Sequence, residues 1–123
     1  MATMCPVVER YFAGFNAADY RAVAALFAPD GLLLAPFEDP IVGSEAIYAY
    51  LNAEAVAMRA TPMEVETTPT DAGAQQVVVK GRVKTRLFVV NVRWTFVLVD
   101  KALKSAEIKL LASLQELVQL DRG

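Results

Sequence analysis

Two stretches of strict alternation, VVVKGRV at 77–83 and VNVRWTFVLVD at 90–100, constrain this chain more than any other feature. Successive side chains of an extended strand point to opposite faces. Val77, Val79, Gly81 and Val83 therefore share one face, and Val78, Lys80 and Arg82 the other. In the second stretch Val90, Val92, Trp94, Phe96 and Leu98 share a face whose one polar group is the indole N–H, while Asn91, Arg93, Thr95 and Val97 lie opposite. Such strands require a sheet with one dry side, and that side requires a cover. No Gly, Pro or Asn-Gly marks a reversal between Gly81 and Asn91, but one continuous strand would exceed ordinary strand lengths. The turn is therefore placed near Thr85–Leu87.

The cover is legible in the first half. Pro6 suits a first helical turn, and Val8, Tyr11, Phe12 and Phe15 recur at helical spacing on one face of a helix over Pro6–Asn16. Asp19 is a good N-cap for a second helix running through Val23, Leu26 and Phe27 to the stop APDG. A short strand over Gly31–Ala35 and a loop held by Pro36 and Pro40 follow. Ser44 is expected to cap a third helix that carries Ile47, Tyr50, Leu51 and Met58 towards Ala60. Thr61–Thr68 reads as a long strand, Pro69–Ala74 as a turn, and KALKS at 101–105 as a hairpin, after which Ala106, Ile108 and Leu110 continue the apolar face. The tail SLQELVQLDRG reads as a short amphipathic helix with Leu114, Leu117, Val118 and Leu120 apolar. Helices first and strands after is an α+β order, and 123 residues suit one domain, 1–123.

Composition narrows the chemistry. The chain has no histidine and one cysteine, Cys5, which excludes a serine triad and a Cys–His pair and leaves no donor set for zinc, haem or an iron–sulfur centre. A lone cysteine forms no internal disulfide and fits a reducing cytoplasm, and MATMCPVVER lacks the pattern of a signal peptide. A net charge of −2 and a pI near 5.1 argue against nucleic acid as a partner. Hydrophobic residues make up 55% and mean hydropathy is +0.35. The apolar surplus is expected to line a cavity or an oligomer interface.

The run RYFAGFNAADYRAVAALFAPDG, then PIVGSEAI, then a strand-rich second half resembles the nuclear-transport-factor-2-like cone, in which three helices wrap a bent antiparallel sheet around one pocket. TRLFVVNVRWTF, PFEDPIVGSEAI and IKLLASLQELVQL further resemble the C-terminal domain of the cyanobacterial orange carotenoid protein family and its stand-alone homologues. That resemblance implies that Tyr11 and Trp94 donate hydrogen bonds to the ring carbonyl of a ketocarotenoid such as canthaxanthin or echinenone. It matches Glu54 to a family glutamate at a partner interface, and it implies helical carotenoid proteins as donors or acceptors of pigment. The chain departs from the family at Leu87, which stands where the two-domain protein has a second Trp, and at Lys109 and Leu114, which replace an acidic residue and a proline.

Without the family, Tyr11 and Trp94 read equally as core aromatics. Two converging donors in a dry interior suit one carbonyl of a large apolar ligand. The cavity is expected to be lined by Val79, Val83, Leu87, Phe88, Val92, Phe96, Ile108 and Leu110 from the sheet, with Ile47 and Leu51 from the third helix. An isomerase on the same cone needs a carboxylate base and a second, protonated acid; those positions fall on Ala35 and near Val92. Glu38 and Asp39, between Pro36 and Pro40, read as solvated loop charges, and Glu54 as either a rim residue or an interface residue. Lys80, Arg82, Lys84 and Arg86 form a basic strip, either a solvated face or an anion site.

The expected function is non-catalytic binding of a ketocarotenoid for storage, delivery and singlet-oxygen quenching. The pigment exceeds a domain of radius of gyration ~14 Å, so a homodimer around it is expected, with transient membrane contact for pigment uptake. An isomerase- or cyclase-like enzyme on a small apolar carbonyl compound and a ligand-free dimerisation module are the alternatives. The tail helix either gates the cavity or closes the core.

Overall fold

The computed structural model describes residues 5–70 and 73–111. The chain order is α1 (Pro6–Asn16), α2 (Tyr20–Ala24), β1 (Phe27–Leu34), β2 (Ile41–Val42), α3 (Ser44–Glu54), β3 (Arg59–Pro69), β4 (Gln75–Lys84), β5 (Val89–Val99) and β6 (Ala102–Leu110). The strands form one six-stranded sheet in the order β2-β1-β6-β5-β4-β3. Register shifts between Phe27 and Leu32, Pro62 and Glu64, and Val97 and Leu98 interrupt three of its strands. Bulges of this kind bend and twist the strands that carry them, and they curve the sheet around the α1 side.

Helix α1 has the bounds expected from its apolar spacing, and it buries Val7, Val8, Tyr11, Phe12 and Phe15. Its last residue fastens it to the sheet. The Asn16 side-chain amide donates to the Ala60 carbonyl at 2.9 Å, and the Ala60 N–H donates to Asn16 Oδ1 at 2.7 Å. Asn16 thus satisfies both backbone groups of Ala60 near the start of β3, as a neighbouring strand would. The alternation of β4 and β5 is realised as expected, with Val77, Val79, Gly81 and Val83 paired to Phe96, Trp94, Val92 and Val90. The turn between them is where expected: Thr85 N–H donates to the Phe88 carbonyl at 2.8 Å.

Several expectations are corrected. Helix α2 stops at Ala24, because Leu26 and Phe27 are recruited by β6: Leu103 N–H donates to the Leu26 carbonyl at 2.9 Å. The APDG segment is consequently a bulged part of β1 rather than a helix stop. The β1–β6 pairing is parallel, so the sheet is mixed rather than antiparallel. Gly43, at φ +90°, is the N-cap of α3; Ser44 is already helical, and the helix ends at Glu54 rather than near Ala60. The β5–β6 reversal falls on Asp100 and Lys101, both at positive φ, which puts Leu103 in the core instead of in a turn. The expected tail helix, with Leu114, Leu117, Val118 and Leu120, lies outside the described residues.

Gly81 faces the interior where β3 is bulged, and a Cβ there would collide with the Thr61 carbonyl oxygen and come within 3.0 Å of Pro62 Cα. Both neighbours are backbone and cannot rotate away. Gly81→Ala is expected to destabilise the fold by about 2 kcal/mol or more, read as a fall in Tm of roughly 10 °C by circular dichroism.

Candidate functional site

Helical spacing puts Tyr11, Phe12 and Phe15 on one side of α1, where they meet Trp94 and Phe96, neighbours on one face of β5. Phe12 is the junction. Its ring meets Trp94 edge-on at 4.8 Å between centroids and Tyr11 edge-on at 5.3 Å, and Tyr11 meets Phe96 at 4.9 Å. Such edge-to-face pairs contribute on the order of 1 kcal/mol each beyond burial. Tyr11 is 1% exposed and Trp94 2% exposed. Sequence reasoning placed both correctly inside but missed that the Phe12 ring touches both; its spacing on α1 was visible, its rotamer was not.

The Tyr11 hydroxyl is the one buried side-chain polar atom without a hydrogen-bond partner among the described residues. Leaving such a group unpaired costs about 1–3 kcal/mol. Burial, and secondly the neighbouring Tyr50, push its phenol well above the ordinary tyrosine range. Tyr50 is half-buried on α3, and its own phenol is raised by burial and then by the Glu38 and Glu54 carboxylates. Glu54 lies one helical turn after Tyr50 and is exposed. A short electrostatic sequence therefore runs from the buried hydroxyl of Tyr11, through Tyr50, to two carboxylates at the surface.

Val79, Val92, Phe96, Ile47 and Leu51 are buried, Val83 nearly so, and Ile108 is half-buried against them. Three expected lining residues are not inside. Leu87 and Phe88 are 85% and 59% exposed, and Leu110 is 42% exposed. The tight turn closed by Thr85 projects the first two beyond the end of β4, and Leu110 lies at the end of β6. Ala35 and Val92 are buried and apolar, and among the described residues the buried side chains that carry a polar atom are tyrosines and Trp94, with none that is charged. Among the same residues no cluster could hold a metal ion. Glu38 and Asp39 are exposed, as expected for loop charges. A cleft of about 740 Å³ lies at the other end of α1, lined by Cys5, Arg10, Thr70, Leu98 and Lys101 among others. It touches neither Tyr11 nor Trp94. What the described interior offers chemically is a hydrogen-bond donor in an uncharged, aromatic surround, suited to a neutral acceptor oxygen.

Residues 8–104 match the model of the SnoaL-like domain. The chain belongs to the SnoaL-like family. Within it, the chain is 35% identical over 118 residues to the orange carotenoid-binding protein of Limnospira maxima, covering 92% of this chain and 37% of that protein. The structure of the orange carotenoid protein of Anabaena (Nostoc), binding canthaxanthin, superposes with a TM-score of 0.87 at 33% identity, over 96% of this chain and 39% of that one. The chain thus spans less than two-fifths of the length of these relatives. The resemblance read from the sequence, to the C-terminal domain of that protein, is borne out. A putative polyketide cyclase from Sinorhizobium meliloti shares the fold at a TM-score of 0.73 and 24% identity, over 86% of this chain and 95% of that one.

Tyr11→Phe removes an unpaired buried hydroxyl and keeps the ring, so the ligand-free variant is expected to gain about 1 kcal/mol. A core tyrosine with an internal partner would lose stability instead. The same substitution alters the alkaline limb. The folded chain holds the Tyr11 proton above the ordinary value of 10.0, while the unfolded chain loses it there. The folded state therefore binds more protons, and stability falls as pH rises past about 10, by up to ~1.4 kcal/mol per unit. Urea unfolding between pH 8 and about 11 is expected to show that fall in the wild type and a flatter profile in Tyr11→Phe.

Proposed function

We propose that this chain, as one domain, binds a ketocarotenoid without covalent attachment, with the ring carbonyl accepting from Tyr11 and Trp94. The observation that carries the reading is the Tyr11 hydroxyl, buried and unpartnered, on the same aromatic junction as Trp94. A carbonyl oxygen entering there satisfies a donor that the protein leaves unsatisfied. Similarity to proteins named for carotenoid binding supports the ligand class, and the canthaxanthin in the Anabaena structure suggests a suitable probe. Each hydrogen bond contributes about 1 kcal/mol net, so burial of the polyene supplies most of the affinity and the two donors set the orientation of the ring. Because the Phe12 ring packs edge-on against both Tyr11 and Trp94, a ring entering among these aromatics would have to displace it.

A pigment held by one ring leaves its other half outside. A second copy would cover it, with Glu54 at that interface. Storage, delivery to helical carotenoid proteins and quenching of singlet oxygen in the cytoplasm are roles such a holoprotein fits, and none of them requires catalysis. The cyclase-like alternative is favoured by the shared fold and by Tyr11 as an oxyanion donor. It would have to recruit Glu38 or Glu54 through Tyr50, since Ala35 and Val92 supply no base.

The test is expression in cells that make canthaxanthin. Purified protein is expected to be coloured, with visible absorption co-eluting with a dimer. Tyr11→Phe and Trp94→Phe are each expected to shift the absorption band and weaken retention about five- to tenfold, one hydrogen bond's worth. Colourless wild-type protein from such cells would sink the reading, and unchanged spectra in both variants would displace the carbonyl from this site.

A further inference from the structure

The β4–β5 turn has a composition that pigment binding does not account for. Leu87 and Phe88 stand at its tip, and Val89 beside them is 54% exposed. Lys84 and Arg86 flank them and are exposed. Arg59 lies directly across from Lys84 on β3, and Arg82, two residues back, shares the outward face of β4 with Lys84. The ion pairs among the described residues are Arg21–Glu45 and Lys109–Glu107, so these four cations are engaged in neither. An apolar tip with a collar of one sign, on a chain of net charge −2, is a local arrangement that the overall balance does not produce.

Part of the tip's backbone is already provided for. The Leu87 and Phe88 N–H groups donate to Thr85 Oγ1 at 3.2 and 3.1 Å, and the Thr85 hydroxyl donates to the Phe88 carbonyl at 3.0 Å. That carbonyl also accepts from Thr85 N–H. In a lipid environment unsatisfied backbone groups are what forbid entry, and here the two outermost N–H groups and the last carbonyl are satisfied within the turn. Further exposed apolar side chains lie at the same end of the sheet, Val56 before β3 and Leu110 at the end of β6; Phe37, beyond β1, is followed by the exposed carboxylates of Glu38 and Asp39 and takes no part. Apolar groups at the boundary and cations at the headgroups are the two contributions that hold a protein on an anionic bilayer.

We propose that this turn is an interfacial membrane-docking site. Leu87 and Phe88 enter the acyl boundary of an anionic bilayer, and Arg59, Arg82, Lys84 and Arg86 contact its headgroups. The docking needs no pigment and does not rest on the pigment reading. The sign of the collar favours an anionic surface over a second copy of the same turn.

The experiment uses the full chain without pigment, sedimented with phosphatidylcholine vesicles containing about a third phosphatidylglycerol and with pure phosphatidylcholine vesicles. Binding is expected to the anionic vesicles alone and to weaken as salt rises from about 0.1 M to about 1 M. Leu87→Ser combined with Phe88→Ser is expected to reduce partitioning about tenfold or more, Lys84→Gln or Arg86→Gln about fivefold each, and Lys101→Gln, at the opposite end of the sheet, not at all. These side chains are exposed, so unchanged melting curves show that the variants are folded. Equal binding to both vesicle types, binding to neither, or full binding by the double serine variant would overturn the proposal. So would a double variant that abolishes a dimer and leaves vesicle binding intact, which would give the tip to a second copy.

Discussion

The edge-on packing of Phe12 against Trp94 is the contact on which the remaining geometry depends. A sheet whose inner face reads Val92, Trp94, Phe96 and Leu98 must be covered, and α1 covers it with the only aromatic stripe in the first turns of the chain. Once Phe12 is seated, helical spacing carries Tyr11 and Phe15 inward with it. The unpaired phenol is then a consequence of the cover, held in place by ring contacts whose summed gain exceeds the cost of one unsatisfied hydroxyl. The Asn16–Ala60 clamp fixes the angle of α1 against β3, so the stripe has little freedom to slide and expel Tyr11.

Charge in this protein is sorted by position. The described interior carries none, and the Glu38 and Glu54 carboxylates act on Tyr50 at the periphery. A donor can orient a neutral oxygen in such an interior, but a base there would need a buried anion that the site has nothing to stabilise. Ala35 and Val92 are likewise apolar and buried, so the described interior presents phenol and indole groups and no carboxylate.

Periodic segments were readable before any coordinates. Helix α1 and the alternation of β4 and β5 follow from spacing over seven or more residues, and the inward positions of Tyr11 and Trp94 follow with them; Ile47 and Leu51 follow from the helical spacing of α3, and the turn at Thr85 from the limit on strand length. Where a competing partner outside the segment decided the outcome, local signals failed. Asp19 started α2 correctly, but backbone pairing of Leu26 and Phe27 with β6 ended it early. Ser44 has the better capping side chain, but the chain needed a positive φ one residue before it, and Gly43 supplied that. Two residues of β2 are too few for a period to register. Leu87, Phe88 and Leu110 are apolar by type, and nothing in type alone distinguishes a cavity wall from an outward-facing rim; the tightness of the turn made that choice.

The parallel pairing of β1 with β6 has a kinetic meaning. Phe27 finds Leu103, and Leu33 finds Ala106, across most of the chain length, whereas β3, β4 and β5 zip through successive local reversals. Loop closure over such a separation is entropically late and slow. The four-stranded meander of β3 to β6 can therefore form while β1 is still unpaired with β6, with Leu33 and Phe27 outside the core they later complete. High contact order is concentrated in this one seam, so the seam is expected to form last in folding and to govern the rate at which the native sheet closes.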